Sequence, residues 1–263
     1  PMLSMRLAAP GNLIDITAHI LQRTDPDTGR PLVDMILDTA EQKGTGKWAS
    51  QVALDLGVPA PTIAEAVFAR TLSAIQTERV AAAQVLRGPE KTALPERGAV
   101  LVQLRTALLA SKVCAYAQGF ALLRAADQEQ QWQLPMAQVA KVWRAGCIIR
   151  AHLLEDIRRA YTHQADLPNL LVDPHFARVM ADGQQALREV VAMAALQGVP
   201  MPAFMSALSY YDAYRSARLP ANLLQAQRDY FGAHTYQRTD RPGKFHTRWG
   251  DGDLPQAVPG ARS

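Results

Sequence analysis

An all-α fold is predicted by three features of this 263-residue sequence. Ala and Leu, strong helix formers, are abundant while aromatic residues make up only 6%. Apolar residues recur at three-and-four spacing, the period of one helix face. Strand-like alternation is nearly absent.

The elements follow in order. Gly57-Val58-Pro59 is predicted to end a first helix, because Gly tolerates a left-handed C-terminal residue and Pro cannot continue the ladder. A long helix is predicted from about Thr62 to Leu86, stopped by Arg87-Gly88-Pro89. Between residues 99 and 123, Leu101, Leu104, Leu108, Ala115, Gly119 and Leu122 mark one apolar face. Leu134-Pro135 opens a helix expected to run to about Tyr161. From Phe176, a further face carries Val179, Met180, Leu187, Val190, Val191 and Ala194. Gly198-Val199-Pro200 and Leu219-Pro220 bracket a helix containing Tyr210, Tyr211 and Tyr214, a stripe read as packing. So many long helices imply a large helical bundle that buries several apolar faces at once.

After Tyr236 the character changes to Gly, Pro and charge. Residues 237–263 read as an extended tail, in which Phe245 and Trp249 lack a local helix and mark either a docking partner or a frayed terminus. The expected organisation is a leader over 1–12, a helical domain over 13–236 and the tail.

Composition narrows the function classes. The chain is 48% apolar and 20% charged, the balance of an ordinary globular protein. Its net charge of +4 is scattered rather than blocked, which argues against a nucleic-acid partner and suits a small phosphorylated ligand. Cys114 and Cys147 sit in apolar runs and read as reduced core thiols, so a cytoplasmic location is expected. No uninterrupted 18-residue apolar run and no secretory leader pattern occur, so no membrane partner is expected.

Three stretches could carry chemistry. Gln42-Lys43-Gly44-Thr45-Gly46-Lys47-Trp48 combines two glycines, two lysines and a hydroxyl ahead of a predicted helix, a setting for an anion or for an ordinary glycine turn. It is not a Walker A loop, because Glu41 and Trp48 occupy the positions that need Gly and Ser or Thr. Arg70, flanked by apolar residues, would need an anionic partner if desolvated: a phosphate or carboxylate, or an internal pair with Glu65 or Glu78. In the run from Asn222 to His234, Asn222 is expected to cap a short helix that Gly232 ends, leaving Arg228 and His234 near its end. No metal-ligand spacing, GxSxG elbow or GxGxxG fingerprint is present.

These stretches closely resemble motifs of the 6-phosphogluconate dehydrogenases. So do Thr71-Leu72-Ser73, Tyr116-Ala117-Gln118-Gly119-Phe120, the run from Trp143 to Arg150, and Phe245-His246-Thr247, all in the family's order from about Leu13 to Trp249. The resemblance implies an all-α C-terminal domain that forms most of a dimer interface. It implies an NADP-dependent oxidation of 6-phosphogluconate with decarboxylation to ribulose 5-phosphate, in gluconate use and the pentose phosphate pathway. Lys43 and Thr45 match loop residues that contact the sugar phosphate, and Arg70 matches an arginine that binds the phosphate. Arg228 and His234 match residues that one subunit lends to the other's active site, and the tail matches a segment that threads into the partner. The family's Rossmann domain, with its NADP site, and the stretch with the catalytic Lys, its nearby Asn and the acid Glu have no counterpart in these 263 residues. The chain is therefore expected to read as a fragment with no catalytic residue of its own. Its expected role is to bind 6-phosphogluconate and dimerise, or to pair with a separate Rossmann-domain chain. The other reading is a non-catalytic helical interaction module.

Overall fold

A computed structural model describes residues 12–40, 43–144, 152–250 and 256–257. Among these it contains ten α-helices and three short strands. The chain divides into two compact units between Tyr211 and Asp212. The last helix therefore groups with the C-terminal segment, not with the helices before it.

The first unit is built around α5 (Arg97–Gln130), 34 residues long, and α8 (Pro174–Leu196), 23 residues long. Each starts with a carboxylate cap: Glu96 accepts from the Ala99 N–H, and Asp173 accepts from the N–H groups of His175 and Phe176. Pro174 occupies the first turn of α8, where its missing N–H costs nothing. The face α8 buries is Phe176, Met180, Gly183, Leu187, Val190 and Ala194, spaced by alternating fours and threes.

The buried face of α5 is not the leucine stripe that spacing suggested. Ala107, Ala110, Ser111, Val113, Cys114, Ala117, Gln118 and Phe120 are buried, whereas Leu101 is exposed and Leu104, Leu108 and Leu122 are half-buried. Small side chains win this face because α8 comes close. A Cβ on Gly183 would stand 3.2 Å from the Ala110 Cβ. The burial of Cys114 pushes its thiol up to about 12, so it is a core group with negligible thiolate. Cys147 lies outside the described residues. By length and composition α5 also qualifies as a bilayer-spanning helix, but its buried face packs on α8.

The smaller helices pack on this pair. α6 (Met136–Val142) and α7 (Leu153–His163) occupy the stretch expected to be one helix, and residues 145–151 between them are outside the description. Phe120 is fully buried, stacked on Tyr161 at 5.2 Å and edge-on to Trp143 at 5.5 Å. α9 (Pro202–Tyr214) buries Tyr210, whose hydroxyl accepts from the buried Asn169 amide at 2.8 Å.

The expected long helix from Thr62 to Leu86 is two helices, α3 (Pro61–Ala74) and α4 (Gln76–Ala83), separated by non-helical Ile75. A fully buried amide holds the N-terminal end of α3. Gln118 accepts from the Thr62 N–H and donates to the Thr62 hydroxyl, each at 2.9 Å. α1 (Asn12–Leu21) and α2 (Thr45–Asp55) complete the first unit.

The second unit holds α10 (Ala221–Gly232) and a small antiparallel sheet. Its strands are β1 (Tyr236–Gln237), β2 (Lys244–His246) and β3 (Gln256–Ala257), with Tyr236 opposite Phe245 and His246 opposite Gln256. Part of the expected extended tail is thus paired, and Phe245 is buried within it. The guanidinium of Arg241 lies 5.0 Å from the Phe245 ring centroid.

Phe120→Ala removes the ring that joins α5, α6 and α7, and is expected to cost about 3–5 kcal/mol. A urea titration followed by circular dichroism measures this; a loss below about 1 kcal/mol would contradict the packing described.

Candidate functional site

Two groups of predicted residues arise, one in each unit. In the first, Gly44 is the residue before α2, in a left-handed conformation at φ 99°, and Thr45 is the first helical residue. Glycine is needed at that φ, which a Cβ would strain. No side chain caps this helix end. Lys43 and Thr45 are both exposed.

Two anchors carry this loop along α3. At one end the Ser73 hydroxyl accepts the Ala40 N–H at 2.9 Å and donates to the Arg70 carbonyl at 2.7 Å. Arg79 reinforces it, donating to the Asp38 carboxylate at 2.9 Å and to the Asp38 and Ser73 carbonyls at 3.2 Å each. The Arg79 hydrogen bond outweighs desolvation and holds the Asp38 carboxyl below its usual range. At the other end Gly46 abuts α3, where an added Cβ would meet Val67 at 2.9 Å. Val67, Arg70 and Ser73 recur every three residues on one face of α3. Lys43 lies between the anchors in sequence, and Arg70 lies between their footholds on the helix.

Arg70 itself is exposed, not desolvated as its flanks suggested. Its apolar neighbours Val67 and Ile63 turn inward while Phe68 and Ala69 share its exposure. Neither Glu65 nor Glu78 pairs with it among the described residues.

In the second unit, the start of α10 differs from expectation. Its N-cap is Pro220, without a side-chain cap, and the Asn222 side-chain Oδ1 accepts from the adjacent Leu223 N–H instead. Gly232 is the last helical residue and Ala233 the C-cap, at φ 49°. His234 follows, then Thr235 at φ 60°. Positive φ at a non-glycine residue, above all a β-branched one, costs roughly 1–3 kcal/mol and persists where surrounding bonds enforce it. The His234 ring lies over Gly232, where an added Cβ would come within 2.8 Å of it, and meets Phe231 edge-on at 6.0 Å.

The enforcing bonds come from two residues that motif reading passed over. Gln225 donates to the Thr235 carbonyl at 2.5 Å and accepts from Arg228 at 3.2 Å. Asp229, fully buried, accepts four hydrogen bonds. Its Oδ1 takes the Thr235 N–H and lies 2.9 Å from His246 Nδ1; its Oδ2 takes the Thr247 N–H and the Trp249 indole. Trp249 therefore has a local partner after all. Gln225 stands three residues before Arg228 and four before Asp229, so its side chain neighbours both on the helix. Burial pushes the Asp229 carboxyl up, but the bonds from His246, Thr247 and Trp249 outweigh it and hold it below the usual range.

Among the described residues, no group of three or more His, Cys, Asp or Glu is gathered to hold a metal. Among the described residues, no strand–loop–helix unit carries a glycine fingerprint that would fit NADP, and no hydride step is assigned to them. A cavity of about 370 Å³ lined by Arg159, His163, His175 and Arg178 contains none of the predicted residues. Asp156 answers Arg159 and lies 3.8 Å from His175 there, while Asp173 caps α8.

A family model for the C-terminal domain of 6-phosphogluconate dehydrogenase matches residues 8–249. The chain belongs to the 6-phosphogluconate dehydrogenase family. It is 56% identical over 238 residues to the NADP(+)-dependent, decarboxylating 6-phosphogluconate dehydrogenase of Bacillus subtilis, covering 90% of this chain and 51% of that protein. It is 54% identical to the decarboxylating enzyme of Salmonella typhimurium, covering 90% and 50%. The Plasmodium falciparum 6-phosphogluconate dehydrogenase, solved apo, with NADP+ and with its substrate 6-phosphogluconate, superposes with a TM-score of 0.87 at 40% identity. That match covers 92% of this chain and 52% of the other. The chain thus spans about half the length of the relatives it matches.

The sign of the Asp229 shift makes a pH prediction. A depressed carboxyl contributes stability that is present above its unfolded value, about 3.9, and lost as pH falls through the lower folded value. The Trp249 indole N–H is expected to remain protected from exchange at pH 4 and to lose protection only below the ordinary aspartate range. Loss between pH 5 and 4 would contradict the arrangement.

Proposed function

We propose that this chain is the 6-phosphogluconate-binding and dimerising part of a cytoplasmic, NADP-dependent oxidative decarboxylase that converts 6-phosphogluconate to ribulose 5-phosphate and CO2. The observation that carries this reading is the loop of Lys43 and Thr45, anchored at both ends to α3, the helix that bears an exposed Arg70 with no acidic partner among the described residues. A phosphate dianion needs charge-assisted donors from several directions. Lys43, Thr45 and Arg70 supply one set. Arg228, on the last turns of α10, and His234, on the strained and heavily bonded turn after it, supply a second, lent by the other subunit. Binding energy from the non-reacting phosphate can then orient the sugar acid for reaction.

Exposed apolar faces support the dimerising half of the reading. Leu13, Ile16 and Ile20 line α1; Phe68 and Leu72 line α3; Leu223, Leu224, Tyr230 and Phe231 lie on α10. Contiguous exposed apolar surface marks an interaction site. The partner is a second copy with exchange of the C-terminal segment, or a separate Rossmann-domain chain. NADP belongs with a Rossmann domain, and the proton-transferring Lys and Glu with the stretch just before this helical domain, so these 263 residues alone are expected to bind the sugar acid without reducing NADP. The same exposed faces would also suit a non-catalytic helical interaction module.

Calorimetric titration with 6-phosphogluconate separates the two. Arg70→Ala and Lys43→Ala are each expected to weaken binding about tenfold or more, the loss of one hydrogen bond to a charged group. Dimers that show no binding heat would support the interaction module instead, and NADP reduction by the pure chain would overturn the division of labour.

A further inference from the structure

We infer that Asp229 is a positioning residue: with Gln225, it locks Arg228 and His234 into a single presentation and couples that presentation to the docking of the segment from His246 to Trp249. The inference rests on the reading of Arg228 and His234 as anion-binding groups given above.

The argument starts from what the carboxylate is doing. Asp229 sits on the last turns of α10, between the two proposed functional residues in sequence. It does not cap its own helix. Each of its four donors lies further along the chain, at Thr235, His246, Thr247 and Trp249. One oxygen ties the His234 turn and β2 together, and the other ties down the segment after β2. A buried carboxylate with four donors is a rigid hub, because removing any partner leaves charge unsatisfied.

What the hub holds is a strained turn. Ala233 and Thr235 both have positive φ and flank His234 on either side. The Thr235 N–H is fixed by Asp229 and its carbonyl by Gln225. Gln225 also touches the Arg228 guanidinium, so one amide side chain links Arg228 to the backbone beside His234. Left alone, Thr235 would relax to a negative φ and swing His234 off Gly232. A turn needed only to reverse the chain would use glycine at such positions. Strain that is kept, and held from both sides, places a particular side chain. Here that side chain is His234. Because the hub takes His246 Nδ1, the Thr247 N–H and the Trp249 indole, undocking that segment removes three of its four donors. The presentation of Arg228 and His234 is therefore built only when the C-terminal segment is in place.

The test uses the full 263-residue chain carrying Asp229→Asn, which keeps the volume but turns one acceptor oxygen into a donor. Trp249→Phe assigns the indole signal and His234→Ala the imidazole signals in nuclear magnetic resonance spectra. In Asp229→Asn the Trp249 indole N–H is expected to lose exchange protection, and the His234 ring signals to move to the position of an exposed, mobile imidazole. Affinity for 6-phosphogluconate is expected to fall about tenfold, close to the effect of Arg228→Ala. If Asp229→Asn unfolds the chain, Gln225→Leu serves instead. It removes the link between Arg228 and Thr235 without stranding a charge, and is expected to free the same His234 signals and weaken binding severalfold. As a control, Phe245→Leu loosens the core of this unit without touching the hub, and is expected to lower stability while leaving the His234 signals unmoved.

His234 signals that stay put in Asp229→Asn, or in Gln225→Leu where the first variant is unfolded, overturn the inference. So does a freed His234 with affinity equal to the parent chain, when Arg228→Ala does weaken binding. A parent chain that does not bind 6-phosphogluconate defeats the functional reading instead, and the His234 signals then still decide whether Asp229 fixes the turn.

Discussion

The close approach of α8 to α5 is the constraint on which the first unit depends. Gly183 meets Ala110 where any larger pair would push the helices apart, and the small residues of α5 line the rest of the seam. Close backbones bring dense packing and leave no room for rearrangement. Gln118 emerges from the same buried face and grips the start of α3, so the helix that bears Arg70 is oriented by the core rather than by surface contacts. A buried amide with both ends satisfied specifies a unique arrangement, which a purely apolar contact would not.

Both groups of cationic residues follow one design. Each proposed binding residue is exposed, and each lies beside a neighbour that is more buried and held by hydrogen bonds. Ser73 and Arg79 hold the strap that leads to Lys43, while Asp229 and Gln225 hold the turn that carries His234. A ligand as highly charged as a phosphorylated sugar acid can be held without a metal if the cations are fixed before it arrives, since ordering them afterwards would use up binding energy. The extensive exposed apolar faces fit a chain that completes its structure against other polypeptide.

Much of this was legible beforehand because it is local. Helix-forming composition, three-and-four spacing and glycine–proline breaks are properties of neighbouring residues, and they located α2, α8 and α9 well. The break at Ile75 was missed because Ile is no helix breaker, and it separates α3 from α4 through surrounding structure rather than propensity. The leucine face of α5 misled because hydrophobicity counts large side chains as core, whereas a close helix pair selects small ones. Asp229 was invisible as a hub because its donors lie up to 20 residues away and share no motif with it.

By itself the amino-acid sequence determined the helical class, the order of the principal helices, the membership of the family and the residue types a phosphate would need. Only the tertiary structure decided which face of α5 is core, that Arg70 stands exposed on a helix to which Ala40 is tied through Ser73, and that Asp229 binds the C-terminal segment to the His234 turn. The reason is physical: propensity and periodicity act over a few residues, whereas a seam width and a shared carboxylate exist only once distant segments meet.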